Sequence, residues 1–199
     1  MDIGVGAQAH EVAEKVSRLR HLLPGWSQVG SRFEPGVELD TEVILSGYRD
    51  VMESGIEQGW MPESARTELP GLVVPEALIA LYRITNAPAV PDISLFYGFD
   101  KGEILDPDGE VYRTEEHWLS VGLIGNDRFL VSLTSGQVML SDHCSWRYGA
   151  PSNSRIVAPD MLTFFDRCMT GPMYREFLEE AEASRPDYWY QFLLDHGFA

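Results

Sequence analysis

The stretch Asn126 to His143, NDRFLVSLTSGQVMLSDH, constrains the fold of this chain more than any other. It divides at Thr134-Ser135-Gly136-Gln137 into two apolar runs, Arg128 to Leu133 and Val138 to Ser141, joined by turn residues in the pattern of a β-hairpin. Side chains alternate with a period of two along a strand, so Phe129, Val131 and Leu133 share one face and Leu130 and Ser132 take the other. One apolar face and one mixed face place this strand in the middle of a sheet.

The rest of the chain supplies helices and strands to build around it. Val12, Val16, Leu19 and Leu23 repeat at helical spacing from His10 to Leu23, where Pro24-Gly25 stops the pattern. Gly4-Val5-Gly6-Ala7 imitates part of a dinucleotide-binding fingerprint, but no strand precedes it, so it carries no such function. A loop flanked by Trp26 and Phe33 leads to Pro35-Gly36-Val37, and a helix is expected from Asp40 to Gln58 despite Gly47 and Gly55. Trp60 to Gly71 reads as loop. In Val74 to Asn86, Pro75 suits a first helical position, Glu76 the positive end of the helix dipole, and Asn86 the closing cap. Leu78, Leu81, Tyr82 and Thr85 then form one buried stripe.

Strands are expected at Ile93 to Phe99 and His117 to Gly125, separated by a hairpin turn at Asp106-Pro107-Asp108-Gly109. Ile156 to Pro159 is a short strand running into a helix, Pro159 to Met169, with Asp160 as its cap and Leu162, Phe165 and Met169 inward. Two further helical segments, Met173 to Ser184 and Pro186 to His196, follow Gly171-Pro172. The implied architecture is α+β: a single domain over residues 1–171 with a mostly antiparallel central sheet flanked by helices, and extra C-terminal helices over 172–199 packed on it. A fragment ending at Gly171 is expected to stay folded, with lower stability.

Five short motifs in order carry a family resemblance. They are the Pro35-Gly36-Val37 entry, the V-P-E-A-L-I-A-L-Y-R-I-T-N helix at 74–86, H-W-L-S-V-G-L-I-G at 117–125, the T-S-G-Q-V hairpin turn ending in Asp142-His143, and A-P-D-M-L-T-F-F at 158–165. Over roughly Trp26 to Met169 the chain resembles the SUKH superfamily, the Smi/Knr-type domain. It departs from that pattern at Val74, where the family has Leu, at Ala87, where it has Gly, at Asp160, where it has Ser, and in the longer 60–71 segment. Bacterial members of the superfamily are immunity proteins that bind and neutralise a toxin domain, often a nuclease or deaminase, and eukaryotic relatives are regulatory or scaffold proteins. The resemblance therefore implies a binding protein, with no catalysis and no cofactor, whose partner is a cognate toxin domain.

Charge bears on the kind of partner. The chain has 31 acidic and 15 basic side chains, a formal net charge of -16. Such a field repels nucleic acid and anionic membranes and attracts basic partners. The segments 31–70 and 71–116 each hold nine acids against three bases, 172–199 holds six against two, and 117–171 is balanced at four each. An acidic surplus serves solubility in many proteins, and its confinement to the flanks of a neutral centre points to a directed acidic surface. No apolar run approaches a transmembrane span and no signal-peptide core opens the chain, so a cytoplasmic location is expected. Cys144 and Cys168 lack metal or redox spacing and are expected to be reduced.

The candidate partner-binding residues are Asp106, Asp108, Glu110, Glu115 and Glu116, clustered around an exposed turn, together with Tyr188 and Trp189 in the C-terminal aromatic run. Tyr188, Trp189, Tyr190 and Phe192 cannot all point inward from one helix, so some pack the tail onto the domain and others are open to contact. Asp142-His143-Cys144-Ser145 gathers catalytic residue types, but neighbours on a strand end point in opposing directions and no triad or metal spacing supports a site. No catalytic and no metal residue is assigned. A scaffold using the same acidic face, or a hydrolase built on His143 or His117, are the alternatives.

Overall fold

A computed structural model describes residues 3–23, 31–59, 63, 66, 71–96, 98, 117–125, 127–141, 154–177 and 187–199. The elements in chain order are α1 (Ile3–Leu22), β1 (Arg32–Pro35), α2 (Thr41–Gln58), α3 (Glu76–Ile84), β2 (Thr85–Ala89), β3 (Ile93–Leu95), β4 (Trp118–Ile124), β5 (Asp127–Ser132), β6 (Val138–Ser141) and β7 (Arg155–Ala158). They are followed by α4 (Met161–Thr163), which widens into a π-helix (Phe164–Met169), then a 3₁₀ turn (Tyr174–Phe177) and α5 (Tyr188–Asp195). The seven strands pair in sequence order, every neighbour antiparallel. The α+β architecture with a central antiparallel sheet is thus the observed one.

The hairpin lies where its pattern places it, with β4 at the middle of the sheet and β5 beside it. Directly paired residues share a face, so Leu119, Val131 and Val138 point one way, and Trp118 with Ser132 and Ser120 with Leu130 the other. Phe129 joins the first set and meets Phe164 at 4.6 Å between ring centroids, which fixes the π-helix against this face. Trp118, Ser120, Leu130 and Ser132 are buried as well. The strand therefore has two covered faces, which is why its second face is mixed rather than charged.

Helix α2 begins one residue after its expected start because Asp40 caps it, the carboxylate accepting from Val43 N at 3.1 Å. It ends at Gly59, whose φ of 79° lies in the left-handed region and whose N–H reaches back to Ile56 O at 3.1 Å. The Pro35-Gly36-Val37 entry has a steric cause. A Cβ on Gly36 would lie 1.8 Å from the carbonyl oxygen of Arg83, because Val37 N donates to Tyr82 O at 2.8 Å and draws this backbone onto the end of α3.

Four expectations need correction. Helix α1 starts at Ile3 rather than His10: Val5 and Ala9 pack on the core and Gln8 Nε2 donates to Thr163 Oγ1 at 2.7 Å, contacts that outweigh the helix cost of Gly4 and Gly6. Asn86 does not cap α3 but lies in β2, its side chain accepting from Gly98 N at 3.1 Å, while Thr85 turns extended and donates to Glu34 O at 2.9 Å. Residues 32–35, expected as loop, form the edge strand β1 against β2. The helix expected over 159–169 keeps its Asp160 cap, accepting from Thr163 N at 2.7 Å, but widens at Phe164 so that Thr170 N reaches Phe165 O at 3.0 Å.

The core is continuous from α1 through the sheet to the C-terminal segment. Val16, Leu19, Leu78, Leu81, Tyr82, Phe129, Phe165 and Met169 are fully enclosed, and so are Tyr174, Phe192 and Leu193 from beyond Gly171. Among the described residues no helix is long and apolar enough to cross a membrane.

Candidate functional site

The exposed side of α2 carries a stripe of acidic side chains. At 3.6 residues per turn, Glu42, Asp50, Glu53 and Glu57 fall within about 100° of arc, opposite the buried Ile44, Tyr48, Met52 and Gly55. The stripe runs about 22 Å along the helix at 1.5 Å per residue. Glu38, Asp40 and Glu63 extend it at both ends, with the Glu38 and Glu63 side chains 75% and 72% exposed. Arg49 is the one base on the stripe. Arg66 bridges Glu53 at 3.1 Å and Glu63 at 2.5 Å, and Arg83 grips Glu38 at 2.9 Å, so each offsets only part of the charge.

Four basic side chains elsewhere make contacts that hold the fold. Lys15 pairs with the Asp166 carboxylate and donates to Asp166 O at 2.9 Å and Thr170 O at 3.3 Å, closing the end of the π-helix. Arg20 donates to three carbonyls, Phe33 O at 2.8 Å, Glu34 O at 2.5 Å and Ile84 O at 3.1 Å. Arg155 donates to Glu176 O, and the Arg175 guanidinium lies 5.2 Å from the centre of the Tyr190 ring.

Local helix energetics favour Asp40 and Glu42 at the start of α2 but not the acids at its end. Its last turn holds no base, and Glu57 stands at the negative end of the helix dipole, four residues after Glu53. Both placements are unfavourable for an isolated helix, and departures of this kind from local consistency concentrate at functional surfaces.

The loop cluster Asp106, Asp108, Glu110, Glu115 and Glu116 lies outside the described residues, as do Asp142, His143 and Cys144. Tyr188 and Trp189 are described and do not share a surface. Tyr188 is 68% exposed, whereas Trp189 is 1% exposed, donates its indole N–H to Met169 O at 3.0 Å and stacks on Phe192 at 5.2 Å. Trp189 is a core residue and not open to a partner, so of this pair only Tyr188 is exposed. The α2 stripe was legible in the acidic surplus of 31–70 combined with helical spacing, a signal overshadowed by the denser loop cluster.

His117, Cys168 and Tyr174 are held in structural contacts. His117 is buried and its Nδ1 lies 3.3 Å from the Tyr48 hydroxyl, the rings meeting edge to face. Burial, followed by the charge of Glu176, pushes the Cys168 thiol from 9.0 up to about 12, which leaves it protonated at neutral pH. Burial, then the hydrogen bond that Tyr174 donates to Asp92, holds that phenol far above its usual range. Among the described residues no group of three or more His, Cys, Asp or Glu side chains is placed to hold a metal ion. Comparison with protein-family models, curated proteins and solved structures finds no match.

Proposed function

We propose that this chain is a non-catalytic binding protein that engages a basic protein partner through the acidic ridge of α2, as an immunity protein does when it covers a toxin domain such as a nuclease or deaminase. The observation that carries this reading is the ridge itself: four carboxylates on one helical stripe, flanked by Glu38, Asp40 and Glu63, with Arg49 as the one base on the stripe. Such a field draws in a basic partner and raises association rates by about 10 to 1,000 fold at low ionic strength. Ala87 adds support for the SUKH-like part of the reading. It occupies φ 42° at the position where the family pattern has Gly, a backbone geometry that favours glycine.

Co-expression with the protein encoded by the adjacent reading frame, scored by growth, tests the immunity role. Association kinetics then test the surface. Relative to the wild type, a variant carrying Glu42→Gln, Asp50→Asn, Glu53→Gln and Glu57→Gln is expected to associate more slowly at about 0.05 M salt and to lose most of its salt dependence up to about 0.5 M. Its stability is expected to stay close to that of the wild type, because relief of the Glu57 charge at the negative end of the helix is offset by loss of Glu42 from the first turn and of the Arg66 bridge to Glu53. Equal rates and equal salt slopes remove α2 from the interface. A matching variant neutral at Asp106, Asp108, Glu110, Glu115 and Glu116 assigns the loop in the same way.

A further inference from the structure

A groove of about 410 Å³ lies between the C-terminal ends of α1 and α5, lined by Ser17, Arg18, His21 and Leu22 on one side and His196 on the other. On a chain of net charge -16 this lining holds no carboxylate: its polar groups are the Arg18 guanidinium, two imidazoles and a hydroxyl. The carboxylates nearest in sequence are turned to partners on their own helices. Glu14, one turn before Arg18, lies 3.4 Å from His10, and Asp195, beside His196, accepts from Gln191 Nε2 at 2.7 Å. Beyond His21 the ten residues Leu22 to Ser31 carry no charge.

Helix ends present carbonyls, which ordinarily repel anions, but those of α5 are already taken. Phe192 O accepts from His196 N at 3.1 Å, Leu193 O from Phe198 N at 2.8 Å, and Leu194 O from Gly197 N at 3.1 Å. The His196 carbonyl accepts from Arg18 Nη2 at 3.3 Å. Arg18 is also held 4.6 Å above the centre of the Phe198 ring, so its fork is fixed in place. A guanidinium has five N–H donors, and a single bond to a carbonyl leaves donors for a ligand.

We propose that this groove binds a small organic oxyanion, with a phosphomonoester head on Arg18, His21 and His196 and the body of the ligand against Leu22. Fixed guanidinium forks suit phosphate oxygens, imidazole N–H groups add donors, and the Ser17 hydroxyl supplies one more. The groove is open to solvent on one side and leaves room for an organic body beside the anionic head. The site stands apart from the α2 ridge and does not depend on the partner proposed for it.

The test is a titration of the full chain with phenyl phosphate and with inorganic phosphate, read by calorimetry and by the NMR signals of the His21 and His196 imidazoles. Saturable binding is expected, with a Kd on the order of millimolar for inorganic phosphate, and tighter binding of phenyl phosphate. His21→Gln, at an exposed position, and Arg18→Gln are expected to weaken both by at least about ten-fold, the 1.4 kcal/mol equivalent, with melting temperatures confirming the fold. Absence of saturation, equal binding by wild type and His21→Gln, or a response of both imidazoles to zinc chloride and not to phosphate overturns the proposal. Equal affinity for the two phosphates overturns the organic body of the ligand.

Discussion

Trp189 is the sharpest test of how the C-terminal segment relates to the sheet. Its ring is enclosed between Phe33, at 6.3 Å, and Phe192, at 5.2 Å, and its N–H is the donor to the Met169 carbonyl at the end of the π-helix. Truncating a buried Trp to Ala costs about 3 to 5 kcal/mol. The orphaned carbonyl, worth about 1 to 3 kcal/mol when left unsatisfied, puts Trp189→Ala toward the upper end. Trp189→Phe keeps most of the buried ring and loses the hydrogen bond, so about 1 to 2 kcal/mol is expected. Urea unfolding followed by far-UV circular dichroism measures both. A loss within about 1 kcal/mol for Trp189→Ala refutes the packing and returns this side chain to the surface.

Truncation at Gly171 probes the same packing on a larger scale. Removing residues 172–199 takes Tyr174, Trp189, Phe192, Leu193 and Phe198 out of the core. At about 1.5 to 3 kcal/mol for each buried side chain, the loss reaches about 8 to 15 kcal/mol as an upper bound, comparable with the whole stability of a domain. Motif distribution expects the fragment to stay folded. Packing expects it to lose cooperative unfolding, and a sigmoidal urea transition for residues 1–171 decides for the motifs.

Lys15→Met keeps the aliphatic stem but deletes the charge that closes the π-helix, so a loss of about 2 to 3 kcal/mol in urea unfolding is expected. Stability is expected to fall above about pH 9: there the unfolded chain releases the Cys168 proton that the folded chain retains to about 12, so the unfolded state binds fewer protons. Each such group contributes up to about 1.4 kcal/mol per pH unit, and Tyr174→Phe should flatten the decline above about pH 10, as urea midpoints across this range will show. Ala87→Gly is expected to be near neutral in thermal unfolding: relief of about 1 to 2 kcal/mol of backbone strain offsets one lost methyl and added unfolded-state entropy.

Periodicity made much of this protein legible. The hairpin, the Asp40-capped α2, the stripe of α3 and the Asp160 cap each depend on residues within a few positions of one another, where side-chain direction follows from local geometry. The α2 ridge was also present in the sequence, as acids at helical spacing in a segment with nine acids and three bases. What the tertiary structure decided depends on partners far apart in the chain. Edge strand β1 exists because β2 offers it a ladder, and Arg20 ties α1 to β1 and to the end of α3 through carbonyls at positions 33, 34 and 84. The early start of α1 rests on contacts such as that of Gln8 with Thr163, and the fate of Trp189 on the Met169 carbonyl and the Phe33 ring. A local pattern fixes which way a side chain points within its own element. Whether that direction leads to solvent or to the core is decided by what another part of the chain places there.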